Sequence, residues 1–266
     1  METSAQRSLA AVTGASSGIG RELAKQFATH GFDLVIAAED ADLDAARQEL
    51  EGLGARVDAV RVDLATPTGV EELHRRIGAQ ERPLDAIALN AGIGTSGPFA
   101  DTTLEDDLRA VDLNVRSTVH LARYVVRDMV TRGQGRMLFT SSIAAAMPGP
   151  YQAVYNASKS FVQSFALALR AELSGTGVTV TTLMPGPTET GFFDRADMRD
   201  TKLGAADKDD PAAVAADGFE ALMAGKERVV AHSLTARLQA QGARFLPDRL
   251  KAEMLRRMTA PGSAKR

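Results

Sequence analysis

Short runs of Val, Ile, Leu and Ala recur along the chain, and between them lie longer segments whose apolar positions repeat with helical period. The runs Leu9–Thr13, Leu34–Ala38, Val57–Val62, Ala86–Leu89, Arg136–Thr140, Val178–Leu183 and Arg228–Ala231 are continuous rather than alternating. That is the signature of strands covered on both faces, as in a parallel sheet. The helical segments are Ile19–His30, Asp42–Leu53, Gly69–Gln80, Leu104–Arg132, Tyr155–Ser174 and Pro211–Ala224. This alternation predicts an α/β fold, a doubly wound parallel sheet of about seven strands. No repeat or linker divides residues 1–266, so a single domain is expected. Local chemistry marks the boundaries: Gly31 stands where a left-handed C-cap would end the first helix, and Asp210-Pro211 sets an N-cap acid before a first-turn proline.

Three stretches fall outside the alternation. Gly191–Asp209 is polar and charged, has no period, and carries Phe192, Phe193 and Met198. It is predicted to be a lid over a substrate, since long irregular loops in compact domains often serve that purpose. Residues 233–258 predict extra C-terminal helices packed on their own domain, and 260–266 a frayed end.

Composition narrows the field of functions. The chain is 44% hydrophobic and 24% charged, with a formal net charge of −3 and no basic block, which argues against a nucleic-acid partner. The lack of cysteine removes thiolate chemistry and Cys-ligated zinc. His30, His74, His120 and His232 are scattered without ligand spacing, so no metal site is expected. Met1–Leu9 has no apolar leader core, and no apolar run approaches the roughly 20 residues of a membrane span. A soluble cytoplasmic domain is the expectation.

The first predicted strand runs into Thr13-Gly14-Ala15-Ser16-Ser17-Gly18-Ile19-Gly20, where a helical pattern begins. Glycines there let the backbone approach a pyrophosphate, and the helix N-terminus offers N–H groups to it. The spacing is Gly-x-x-x-Gly-x-Gly, so a mere tight turn stays open on this loop alone. Glu39 and Asp40 end the second strand, Asp63-Leu64 the third and Asn90-Ala91-Gly92 the fourth. Carboxyl ends of strands face the ligand crevice of an open α/β sheet, and an acid there can accept hydrogen bonds from a ribose while repelling a 2′-phosphate. A solvated acid starting the next helix is the competing reading.

Tyr155-Asn156-Ala157-Ser158-Lys159 opens a helical segment, and residues four apart share a helix face. A phenol is a poor base near neutrality, but a neighbouring ammonium stabilises its phenolate and so lowers its pKa. An isolated pair of this kind reads as an ordinary surface contact. This one is accompanied by Ser142 just past the fifth strand and Asn114 inside the preceding long helix.

With Thr13–Gly20, Asn90-Ala91-Gly92, Asn114, Ser142, Tyr155/Lys159 and Pro185-Gly186-x-x-x-Thr190 in this order, the chain resembles the short-chain dehydrogenase/reductase family from Leu9 to about Ala231. The resemblance implies a Rossmann-like fold and a nicotinamide cofactor, and it assigns roles. Tyr155 would be the general acid/base, Lys159 would lower its pKa and bind the nicotinamide ribose, and Ser142 would orient the substrate oxygen. Asn114 would bend its helix and hold a water linked to Lys159. Gly14, Ser16, Ser17, Gly18, Ile19 and Gly20 would cradle the phosphates. Glu39, Asp63, Leu64, Asn90, Ala91 and Gly92 would follow the adenosine half and the groove. Pro185, Gly186, Thr188 and Thr190 would fix the carboxamide.

Arg residues common in NADP-preferring members are absent at Ser17, Glu39 and Asp40, which favours NAD with NADP possible. Leu89 stands where many members have Asn. The expected substrate pocket is Ile93, Ala144, Met147, Gln152, Phe192, Phe193 and Met198, suited to an apolar molecule. The expected function is NAD-dependent interconversion of a secondary alcohol and a ketone or aldehyde. An NADP-dependent 3-oxoacyl or ketone reductase is the alternative within the class, and a non-catalytic dinucleotide sensor or scaffold the alternative outside it. The apolar excess on Leu104–Arg132 and Tyr155–Ser174 predicts a homodimer or homotetramer.

Overall fold

A computed structural model describes residues 7–231 and 247–265. Seven strands, β1 (Ser8–Thr13), β2 (Phe32–Ala38), β3 (Val57–Arg61), β4 (Leu84–Leu89), β5 (Gly135–Thr140), β6 (Val178–Met184) and β7 (Arg228–Val230), form one parallel sheet. Their order is β3-β2-β1-β4-β5-β6-β7. The chain winds outwards from β1 to β3, then returns to β4 and winds the other way. The crevice at the carboxyl ends of β1 and β4 is therefore the place where such a sheet binds ligands.

The continuous apolar runs have the expected cause. All seven residues of β2 are buried, because alternate side chains enter two separate cores. Leu9, Ala11, Val35 and Ala37 face the layer of α3 (Pro67–Gly78), α5 (Ser117–Arg132) and α6 (Ala153–Glu172). Ala10, Val12, Leu34 and Ile36 face the layer of α1 (Gly18–Thr29), α2 (Asp42–Gly52) and α9 (Pro211–Met223). In the second layer the Phe27 ring meets Phe32 and Phe219 edge-on, each at 5.2 Å. The caps form as the chemistry predicts: Gly31 has φ +84°, and the Asp210 side chain accepts the N–H of Ala212 at 3.0 Å.

Four features depart from the sequence pattern. β2 starts at Phe32, because Asp33, which breaks the apolar run, is buried inside the strand by ion pairs. The predicted helix Leu104–Arg132 is interrupted: α4 (Leu104–Val111) passes through a π-turn, Asp112–Arg116, before α5. Within Gly191–Asp209 the chain makes two short helices, α7 (Phe192–Arg195) and α8 (Lys202–Ala205), around buried Phe193, Ala196 and Met198.

The fourth departure is at the end of the chain. Residues 232–246, the first part of the predicted C-terminal extension, lie outside the described residues, as does His232. Beyond them α10 (Asp248–Thr259) is a regular helix. The end after Ala260 is pinned rather than frayed, because Asp200 receives the N–H groups of Gly262 and Ala264, and Ser263 Oγ receives that of Lys202. Among the described residues no helix is long and apolar enough to cross a membrane.

Candidate active site

A cavity of about 740 Å³ runs along the carboxyl edge of the sheet, from Glu39 and Asp63 at one end to α7 and α10 at the other. Thr13, the last residue of β1, organises its floor. Its hydroxyl accepts the N–H groups of Asn90 (2.9 Å) and Ala91 (3.0 Å) and donates to Ala88 O. The Asn90 side chain returns a bond to Thr13 O and accepts one from Thr140 Oγ1 at 3.0 Å. The ends of β1, β4 and β5 are thereby stitched together.

The loop above needs its glycines for space. A Cβ on Gly20 would lie 2.0 Å from Gly14 O, and one on Gly18, whose φ is +55°, would lie 2.8 Å from Thr190 Cγ2. Ser17 caps no backbone group with its side chain, so the start of α1 presents its N–H groups towards the cavity. This cradle fits a dinucleotide pyrophosphate. Gly14, Ser16, Ser17, Gly18, Ile19 and Gly20 all line it, as do Leu64, Asn90, Ala91, Gly92, Pro185, Gly186, Thr188 and Thr190. Thr190 Oγ1 accepts the N–H of Phe192, and Thr188 forms a parallel bridge to Asp209, which fixes both ends of the segment that follows β6.

Tyr155, half-buried, and Lys159, buried, project from the first turns of α6 into the cavity wall. Ser142 lies two residues past β5 and caps a 3-10 turn, Ile143–Ala146. Its hydroxyl accepts the N–H of Ala144 at 3.1 Å. Burial pushes the Tyr155 phenol up to about 12, opposed by the nearby Ser142 hydroxyl. Burial also pushes the Lys159 ammonium down to about 8.

Lys159 Nζ donates to Thr140 O at 2.9 Å and stands 5.9 Å from the centre of the Tyr155 ring, a cation beside the ring with no hydrogen bond to the phenol. Gly92 keeps the space beside it open: a Cβ there would be 3.2 Å from Lys159 Nζ and 3.1 Å from Asn114 Oδ1.

Asn114 sits in the π-turn, buried behind the cavity wall rather than lining it. Its amide donates to Ile93 O and to Ser158 Oγ, and its carbonyl accepts the N–H of Ile93, all at 2.9 Å. Ser158 Oγ in turn donates to Tyr155 O at 2.7 Å. The asparagine thus ties the end of β4 to the helix that carries the tyrosine. The wide turn supplies the local geometry for this, and π-turns recur at functional sites.

At the substrate end, Ile93, Ala144, Met147, Gln152, Phe192 and Phe193 line the cavity. Phe192 lies 5.1 Å from the Tyr155 ring, over Gly94, where a Cβ would meet Phe192 Cζ at 2.4 Å. Met198 does not line it. The side chain is 0% exposed under Phe193, where its sulfur accepts a bond from Gln152 Nε2. Instead the far wall comes from α10, through Lys251, Met254, Leu255 and Met258. Sequence reasoning missed these four, because their helical spacing reads equally well as packing on the domain. The anchor, Thr259 Oγ1 to Pro150 O at 2.8 Å, joins residues far apart in sequence.

At the opposite end Glu39, Asp40 and Asp63 are present as expected, but an unexpected cation joins them. Arg109 of α4 donates to Asp63 Oδ2 at 3.0 Å and to Glu39 Oε2 at 2.5 Å. Burial would raise the Asp63 carboxyl, but Arg109 and the N–H of Ala65 hold it below its ordinary value. Asp40 accepts the Ser16 hydroxyl at 2.8 Å, so it braces the phosphate loop.

Comparison with known proteins agrees with this geometry. The family model described as short chain dehydrogenase matches residues 8–200. An uncharacterized short-chain type dehydrogenase/reductase of Sinorhizobium fredii is 36% identical over 186 residues, 70% of this chain and 71% of that protein. Among solved structures, a short-chain dehydrogenase from Sphingobium yanoikuyae in complex with NADPH superposes with TM-score 0.80 at 29% identity, covering 89% of this chain and 93% of that one. A short-chain dehydrogenase/reductase from Burkholderia phymatum in complex with NAD also gives TM-score 0.80, at 26% identity, over 90% of this chain and 95% of that one.

Proposed function

The chain belongs to the short-chain dehydrogenase family, and from that premise we propose that it is an NAD-preferring enzyme interconverting an apolar secondary alcohol with its ketone or aldehyde. The observation that carries this reading is the convergence of Ser142, Tyr155 and Lys159 on one cavity, beside a Gly92 that keeps the space clear. When bound, the nicotinamide ring supplies the hydride to the carbonyl carbon, or takes it from the alcohol carbon.

The chain's own residues handle the oxygen. In reduction the Tyr155 hydroxyl gives its proton to the carbonyl oxygen as the C–O bond becomes an alkoxide; in oxidation the phenolate takes the proton back. Ser142 Oγ, on the same cavity as the phenol, is placed to share the same oxygen and stabilise its charge. Asn114 and Ser158 hold the tyrosine's helix against the end of β4, so they act as positioning residues. With burial pushing the phenol up to about 12, Tyr155 keeps its proton across the neutral range, which suits it to act as the acid when a carbonyl is reduced.

Met147, Phe192, Phe193, Leu255 and Met258 support an apolar substrate. A sensor or scaffold would have no need of the assembled Asn114, Ser142, Tyr155 and Lys159. Tyr155→Phe should keep dinucleotide binding, read by NAD(P)H fluorescence, and lose turnover by about a hundredfold or more across a panel of ketones and alcohols. Turnover close to wild type in that variant would remove the assignment.

We also read the outer face of α4 and α6 as a contact between copies. Leu104 and Leu108 are 74% and 52% exposed one turn apart, and Phe161 of α6 is exposed as well. A homodimer or homotetramer is expected by light scattering at micromolar concentration, and a monomer there would contradict it.

A further inference from the structure

Read from sequence alone, the adenosine end of the cavity is an acidic wall hostile to a 2′-phosphate. The folded chain is different. Glu39, Asp40 and Asp63 face two guanidinium groups, Arg109 from α4 and Arg61 from the end of β3. Arg61 Nε engages only the backbone oxygen of Glu39, at 3.1 Å, and Asp40 is occupied by Ser16 and the N–H of Asp42. Arg109 alone bridges carboxylates, with one nitrogen on Glu39 and another on Asp63.

The two halves of that bridge differ. The Glu39 side chain is 51% exposed and that of Asp63 35%. Asp63 is also fixed by the N–H of Ala65 at 2.9 Å, whereas the bond from Arg109 is the one drawn to the Glu39 carboxylate. Water competes strongly with an exposed ion pair, so exchanging the Glu39 half costs little. A guanidinium has five donors in a planar fork and takes a phosphate with two parallel bonds.

We propose that Arg109 is the residue through which this site tells NAD from NADP, a role that rests on the dinucleotide-dependent reading above. With a free 2′-hydroxyl, Arg109 stays on Glu39 and holds that carboxylate in place to accept from the ribose. With a 2′-phosphate, Arg109 releases Glu39, keeps Asp63 as its anchor and pairs with the phosphate. A group attached to the oxygen that Glu39 grips comes within reach of a guanidinium already 2.5 Å from that carboxylate. Glu39 therefore disfavours NADP without excluding it, and Arg109 sets how far.

The test is fluorescence titration of NADH and NADPH into the wild type, Arg109→Met and Arg109→Lys, which reads binding without turnover. The wild type should bind both, NADH more tightly. Arg109→Met should weaken NADPH about tenfold and NADH less than about threefold. Arg109→Lys should fall between, because it keeps the charge and loses the fork, and it guards against a folding defect in the Met variant. Equal losses for both dinucleotides would mean a structural role only and would overturn the inference, as would an unmoved ratio or a wild type that binds NADH alone. A wild type that binds neither dinucleotide would bring down the functional reading itself, and this inference with it.

Discussion

Strand β2 carries a three-charge cluster at each end, and the two are mirror arrangements. At its start Asp33 stands between Arg7 (3.1 Å) and Arg82 (2.6 Å), one acid between two bases. Just beyond its end Arg109 stands between Glu39 and Asp63, one base between two acids. The ingredients are the same and the surroundings are not. The Asp33 side chain is 2% exposed and also accepts the N–H of Arg56, so both of its oxygens are engaged inside the protein. In the second cluster the two carboxylates line the cavity and all three side chains are a third or more exposed, so water and a ligand can compete for Arg109's partners. Burial turns the first into a structural rivet, and exposure leaves the second exchangeable.

The sharpest way to break this comparison is to unpair the rivet. Asp33→Asn leaves Arg7 and Arg82 without their anion, and removing one partner from a buried ion cluster costs about 3–5 kcal/mol. Chemical denaturation should show that loss while the ratio of NADH to NADPH affinity stays unchanged. A cost below about 1 kcal/mol would place the two clusters in the same class.

Acid should separate them next. Burial would raise the Asp33 carboxyl, but the Arg56 N–H, Arg82 and Arg7 outweigh it and hold the carboxyl below its ordinary value. A depressed value means that the folded chain binds this proton less readily than the unfolded one. Its stabilisation is then fully present above about pH 4 and is lost as pH falls through the folded value. Wild-type stability should decline over that range more steeply than that of Asp33→Asn, as measured by denaturation at stepped pH. Parallel curves would show that Asp33 carries no special share.

The smallest expected effect is on the other cluster: Arg109→Met should change stability by no more than about 1 kcal/mol, although it shifts cofactor preference. A larger loss would make Arg109 a second rivet.

What the sequence made legible follows from range. The strands, the helices and the Tyr155–Lys159 pair are written in neighbouring residues, where period and spacing suffice. The glycine loop is legible because turn geometry is local as well. Asp33 is hidden because a polar residue in an apolar run reads as a strand boundary, and its partner Arg82 is 49 residues away. Arg109 meets Asp63 and Glu39 across 46 and 70 residues, so nothing along the chain signals the bridge. The α10 wall of the pocket was invisible for the same reason. Met198 was misplaced because composition shows that a side chain is apolar, not whether it faces a ligand or the small core beneath Phe193.

The π-turn at Asp112–Arg116 has a consequence for how such a chain can evolve. Arg109, at the adenosine end, precedes the turn, and Asn114, behind the tyrosine, lies inside it. Deleting one residue of α4 between them, with the π-turn kept, would rotate one side by about 100° relative to the other. Either Arg109 would swing away from both carboxylates or Asn114 would leave Ile93 and Ser158. Lineages descended from this sequence are free to exchange letters at exposed polar positions of α4 such as Glu105. They are far less free to change its length, because a single dropped codon would put the two halves of the site out of phase.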